Sequence, residues 1–374
     1  MLNKSLAWLK KEKVLIIAGI CALFTMFYIH PDKEYISYID FRVLCLLLCL
    51  MAVIEGFKRC GTFEWMSTKL IKGTKSGRAL GSGLILLPFF SSMLVTNDVS
   101  LITFIPFTIM LLNEIKCTKN LILILVLQTI AANLGSMATP VGNPQNLFLY
   151  ANYEIGAREF FSVMLPLTIC SLVFLIIASI YLLPKNLPET GKTSDVKPTN
   201  KIYIFAILFI LCLLTVFRVL PYWLLTPLVV LTILFTDKKI FRNLDYGLLI
   251  TFVFFFIVSE NLGRIDTVKN ALNCFLEKDT LLTAVAASQI ISNVPAAVLL
   301  SGFTNDCPAL LQGVNIGGLG TPIASLASII TLKLYMQQKK CKNRKIPFNI
   351  YGSKYYRLNY TFKFYLDFLT LTIT

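Results

Sequence analysis

NLGSMATPVG at 133–142 and NIGGLGTPIA at 315–324 are one phrase written twice, identical or closely replaced at every position. Both copies put Gly and Pro in the middle of an apolar segment long enough to cross a bilayer. Pro has no N–H and clashes with the preceding turn, so a helix is expected to break at each place. In hydrocarbon a break exposes N–H and C=O groups that cost several kcal/mol each when unpaired, so it normally serves a bound species or a polar cavity. A second matched element lies upstream of each copy. SMLVTND at 92–98 and SQIISNV at 288–294 share a hydroxyl four residues before a Thr/Ser-Asn pair.

The surrounding composition fixes the medium. Of 374 residues, 56% are apolar and 15% charged, with a mean hydropathy of +0.71, which is a membrane composition. Apolar runs at 14–29, 43–54, 202–217 and 248–258 read as spans. Soluble enzymes, nucleic-acid-binding modules and secreted disulfide scaffolds are excluded, and no nucleic-acid partner is needed to explain the net charge of +15. With the N-terminus in the cytoplasm, the tail and the segments 58–78, 113–120, 184–201, 237–246 and 333–345 fall inside and hold 25 of the 35 Lys and Arg. The charge excess is therefore a topology signal. Lys4, Lys10, Lys11 and Lys13 precede a first span with no small-residue cleavage site after it, so that span is expected to be retained. The lone histidine, His30, and cysteines without any CxxC supply neither a metal centre nor a Ser-His dyad, and no cofactor is expected.

Counting spans from a cytoplasmic N-terminus makes the interrupted segment at 121–150 run outward and its partner at 309–335 run inward. The halves are then inverted repeats, 1–183 and 202–345, joined by a cytoplasmic linker at 184–201. For the count to close, each half needs a re-entrant hairpin: 80–112 from the cytoplasm and 280–303 from outside. Mixed polar and apolar stretches at 61–78 and 261–278 read as interfacial helices. The expected fold is an all-α polytopic membrane protein with two re-entrant hairpins and two broken helices.

Ser92, Thr96, Asn97, Ser288, Ser292 and Asn293 would offer neutral oxygen ligands to a small hard cation, alongside carbonyls at half-helix ends. Half-helix N-termini would offer N–H groups to an anion. Asp98, matched by Val294, is the single acid expected deep in the membrane. It reads as a cation ligand, a proton carrier, or an N-cap for a helix beginning at Val99.

TNDVSLITFIP at 96–106, NLGSMATPVGNPQN at 133–146, and SN at 292–293 followed by GTP at 320–322 resemble the ion transporter superfamily of divalent anion/sodium symporters, citrate transporters and arsenite permeases. GNPQN at 142–146 and NLGRIDTV at 261–268 are most similar to the citrate-transporter-like and arsenite-permease-like branch. The resemblance implies an elevator-type secondary transporter, usually dimeric, in the plasma membrane. It also implies substrate and ion contacts at Thr139, Gly142, Asn143, Asn146, Thr321 and Ser325. Na⁺ would sit at Thr96, Asn97, Asp98 and Gly142, and again at Ser292 and Asn293. The expected substrate is a small anion such as citrate or another di- or tricarboxylate, coupled to Na⁺ or H⁺, with arsenite or antimonite efflux and Na⁺/H⁺ exchange as alternatives. Asp98 and Val294 depart from the Ser-Asn-Thr triplet of the sodium-coupled carboxylate branch. Residues 346–374, where charges interrupt every apolar run, depart from the final span.

Overall fold

The computed structural model describes residues 13–73, 76–114, 121–183, 199–321, 324–325, 327–332 and 334–335. The tail 346–374, residues 184–198 of the linker, and Pro322 and Ile323 of the second break lie outside the described residues. The described residues are mostly helical, with no strand among them. Four helices are long and apolar enough to cross a membrane by length and composition: Lys33–Arg59, Gly77–Val95, Ala157–Leu182 and Tyr246–Gly263.

The first half contains α1 (Lys13–Tyr28), α2 (Phe41–Arg59), α3 (Thr62–Gly73), α4 (Gly77–Val95), α5 (Asn97–Glu114), α6 (Leu121–Ser136), α7 (Pro144–Asn152) and α8 (Ala157–Leu182). The second contains α9 (Ile202–Val216), α10 (Tyr222–Thr236), α11 (Tyr246–Gly263), α12 (Asp266–Lys278), α13 (Thr280–Ile291), α14 (Asn293–Ser301) and α15 (Cys307–Gly317), then a helical stretch at 327–332. Acidic residues set many of the starts. Asp40, Asp245, Asp279 and Asp306 each accept a first-turn N–H as N-cap of α2, α11, α13 and α15.

Packing in the halves corresponds. α4 and α5 form a helical hairpin against α6, and α13 and α14 form one against α15. α1 packs on α11, while α2 packs on α10, the reciprocal pairing, and also on α9. Arg59 at the end of α2 reaches Asp237 after α10 at 2.7 Å, a hydrogen bond that holds the Asp237 carboxyl below the ordinary carboxylate range. Apolar side chains left on the outside, such as Ile20, Leu23, Phe24 and Phe27 of α1 and Trp223, Leu231 and Phe235 of α10, suit hydrocarbon. The interior around both breaks is instead polar: Asn97, Gln128, Asn133, Asn143, Asn146, Asn293, Asn315 and Ser325 are all buried.

Candidate functional site at the two helix breaks

α6 stops at Ser136 and the chain resumes helix at Pro144, with Asn143 as N-cap accepting the N–H of Asn146 at 2.9 Å. Pro at the first helical position loses no bond there, because that N–H has no intrahelical partner. In the second half α15 stops at Gly317 and the next helical stretch among the described residues is 327–332.

Each hairpin tip closes against the break of its own half with the same bond. The Asn97 N–H donates to the Gly142 carbonyl at 3.2 Å, and the Asn293 N–H donates to the Ala324 carbonyl at 3.0 Å. Gly142 and Ala324 hold the last position of the duplicated phrase. Above these bonds sit Thr96, with φ 70° and ψ 151°, and Ser292, with φ 76° and ψ 155°. Essentially only glycine is at ease in that region, and each residue costs about 1–3 kcal/mol unless its surroundings hold it. In both tips the Asn side chain folds back, so that Oδ1 accepts the next N–H: Asp98 at 3.0 Å and Val294 at 2.9 Å.

Further matched bonds fasten hairpin to break. The Thr139 hydroxyl donates to the Met93 carbonyl, and the Thr321 hydroxyl donates to the Gln289 carbonyl at 3.3 Å. Ser92 and Ser288 bond within their own helices, to the carbonyls of Phe89 at 2.9 Å and Ala284 at 2.8 Å. Both face close approaches of the broken helices, at Gly135 of α6 and Gly317 of α15. Their place is in the packing seam.

The halves also bond to each other. Asn143 Nδ2 donates to Asn315 Oδ1 at 3.0 Å, and the Ser325 hydroxyl donates to Asn133 Oδ1 at 3.1 Å. Asn143 matches Ser325 and Asn133 matches Asn315, so one bond is exchanged across the halves. Asn97 Nδ2 adds a bond to Asn133 Oδ1 at 2.8 Å, and Asn315 Nδ2 adds one to Asn146 Oδ1 at 2.7 Å. Asn146 Nδ2 lies within 3.1–3.4 Å of the carbonyls of Ser136, Met137 and Thr139. The break thus supplies its own donors to carbonyls that a helix would have paired.

Asp98 stands apart. It lies in the first turn of α5, which begins at Asn97 rather than Val99, and its Oδ1 is buried with no hydrogen-bond partner. The N-cap reading of this residue is therefore wrong: Asp98 already lies inside the helix, and its buried Oδ1 accepts no first-turn N–H. Sequence reasoning left Asn133 and Asn315 out of the ligand set although they open the duplicated phrase. Gln289, which donates to the Gly317 carbonyl at 2.5 Å and accepts the Thr321 N–H at 2.7 Å, had no such signal, since its counterpart is Met93.

No group of three or more His, Cys, Asp or Glu that could hold a metal occurs among the described residues. Residues 5–310 match the family described as citrate transporter. An uncharacterized transporter of Methanocaldococcus jannaschii is 37% identical over 326 residues, covering 86% of this chain and 88% of the relative. The inner membrane protein YbiR of Escherichia coli is 28% identical over 86% of this chain and 87% of its own length. The silicon efflux transporter LSI3 of Oryza sativa subsp. japonica is 32% identical over 153 residues, 40% of this chain and 30% of that one. A match to the family model over most of the chain, with a full-length relative above 30% identity, makes this chain a member of the citrate transporter family, a family of transporters rather than enzymes.

Proposed function

We propose that the chain is a secondary active transporter that carries a small anion, citrate or another di- or tricarboxylate, together with Na⁺ or H⁺. The observation that carries this reading is the pair of tip-to-break bonds, Asn97 to Gly142 and Asn293 to Ala324, which bring helix starts and strained tips together in each half. The N-termini of α5, α7 and α14 each present a partial positive charge, worth roughly half an elementary charge. No Lys or Arg occurs from 79 to 115, from 120 to 157 or from 279 to 332. Partial charges and amides can orient a carboxylate but leave most of its charge uncompensated in a medium of low dielectric. A co-bound cation supplies the remainder, and the unpartnered Asp98 carboxylate is the group suited to hold it or to carry its proton. Coupling then follows from electrostatics, because neither ion is comfortable at this depth without the other.

On this reading the two hairpins are re-entrant and the halves are inverted repeats about the midplane. The hairpins and broken helices move together against α1, α2 and α9–α11, in a dimer lying in the plasma membrane with its N-terminus in the cytoplasm. A second reading, efflux of a small neutral hydroxylated solute, is favoured by the amide-rich, unpaired-acid chemistry and by the similarity to a silicon efflux transporter.

The test is uptake into proteoliposomes with imposed Na⁺ or pH gradients, over citrate, dicarboxylates, silicic acid and arsenite. Gradient-driven accumulation of a carboxylate is expected, and Asp98→Asn should retain downhill flux but lose accumulation. Normal accumulation by Asp98→Asn would remove the acid from coupling, and movement of neutral hydroxides alone would replace the anion reading.

A further inference from the structure

Pro88 lies inside α4, about two turns before the tip. A helical Pro has no N–H for the carbonyl four residues back and pushes against it, which kinks the helix and leaves that carbonyl unpaired. Here the carbonyl is that of Leu84, and it is paired from outside the helix. Gln128 of α6, fully buried, donates Nε2 to the Leu84 carbonyl at 2.8 Å and to the Thr108 hydroxyl of α5 at 2.7 Å. One amide nitrogen therefore ties both arms of the hairpin to α6. Its Oε1 is buried without a hydrogen-bond partner, so the side chain is held from one side only. The Pro88 carbonyl is also served by hydroxyls: Ser91 at 3.3 Å and, from the other arm, Ser100 at 3.2 Å, with the two hydroxyl oxygens 2.5 Å apart.

The second hairpin has none of this. At the matching positions it carries Ala284 for Pro88, Leu310 for Gln128, Ala287 for Ser91 and Ala296 for Ser100, and α13 contains no proline. A proline, the amide that repairs its gap and two hydroxyls have gone together. The tip backbones match in the two halves, so this difference lies in how the tip-bearing end of each first arm is supported.

We propose that the first hairpin is hinged at Pro88, and that Gln128 is a positioning residue that sets the angle of the outer part of α4 and so the placement of Thr96 and Asn97. The second hairpin moves as a rigid piece. The proposal rests on the reading of Thr96 and Asn97 as part of the transport site. A side-chain bond that replaces a helical one can break and reform without unwinding its neighbours, which suits a joint that bends once in each cycle.

The test exploits the internal control. Gln128→Leu alone strands the Leu84 carbonyl and should lower the thermal midpoint of the purified protein; unchanged stability would overturn the repair. Pro88→Ala with Gln128→Leu rebuilds the arrangement of the second half, because Ala returns the missing N–H, and should regain that stability. It should nevertheless slow uptake by up to about a hundredfold, the scale on which misplacement of site groups by about 1 Å acts. A readout independent of any substrate is the distance distribution between spin labels at Ala79→Cys and Leu94→Cys, both exposed positions on α4, in a background without other accessible thiols. The double variant should narrow that distribution. An unchanged distribution overturns the hinge, and a narrowed one with wild-type uptake overturns the positioning role. Absence of uptake in the unaltered protein would strike the transport reading while leaving the distance result interpretable.

Discussion

The two hairpin tips are made with the same bonds and carry different chemistry. Each has a strained hydroxyl residue, an Asn that closes on the end of its break and an Asn side chain folded onto the next N–H. One then presents Asp98 and the other Val294. What the halves share is what the backbone requires once a helix has been broken in hydrocarbon, where every freed N–H and C=O needs a partner. Where they differ, at Asp98 and at Pro88 with the Gln128 that pairs the carbonyl it frees, the tip itself makes no such demand, and function has had room to act.

The strongest way to break this comparison is at the shared Asn. Asn97→Ala removes the bond to Asn133 and the carboxamide that receives the Asp98 N–H, while Asn293→Ala removes the equivalent partner of Val294. Both variants are expected to insert and to lose uptake, and Asn97→Ala should also lose more stability, by about 0.5–1.5 kcal/mol, the net worth of its extra hydrogen bond to Asn133. Near wild-type uptake by both would detach the tips from the transported species.

The spans, the duplication and the Thr/Ser-Asn pairs were legible because hydropathy and repetition are local signals. The exchanged bonds were not. Asn143 to Asn315 joins residues far apart in the chain, and Ser325 to Asn133 likewise, through a geometry that no local pattern encodes. Ser92 and Ser288 read as ligands by their spacing to the tips, yet their hydroxyls stay with their own helices beside Gly135 and Gly317. Nothing local marks Gln128 within the apolar run at 121–132. Its meaning depends on Pro88, which lies on a different helix.

The glycine seams sharpen the comparison at smaller amplitude. A Cβ on Gly135 would sit 1.9 Å from the Phe89 carbonyl oxygen, whereas one on Gly317 would meet the Ser288 Cβ at 2.6 Å. Neither contact can stand, and overpacking of this kind costs about 1–3 kcal/mol or more. Gly135→Ala should therefore lower the thermal midpoint further than Gly317→Ala, because the backbone of α4 must shift as a body to clear it. The reverse order would mean that the first hairpin is the looser against its broken helix, which fits a hinge but not the close approach at Gly135.

The finest distinction lies in the strained residues themselves. Thr96 and Ser292 share a backbone conformation natural to glycine, so Gly at either position relieves strain of about 1–3 kcal/mol, less the entropy that Gly adds to the unfolded chain, about 0.5–1 kcal/mol. At Ser292 the relief is further offset, because its hydroxyl donates to the Ala324 carbonyl at 3.2 Å and that bond would be lost, about 1 kcal/mol. Thr96→Gly is therefore expected to raise the thermal midpoint slightly and Ser292→Gly to leave it near or below that of the unaltered protein. If the Thr96 hydroxyl serves the coupling cation, the stabilised variant should need more cation for half-maximal uptake. A Thr96→Gly protein that is more stable and equally avid would make the hydroxyl dispensable, leaving the strain at the first tip with no role in ion binding.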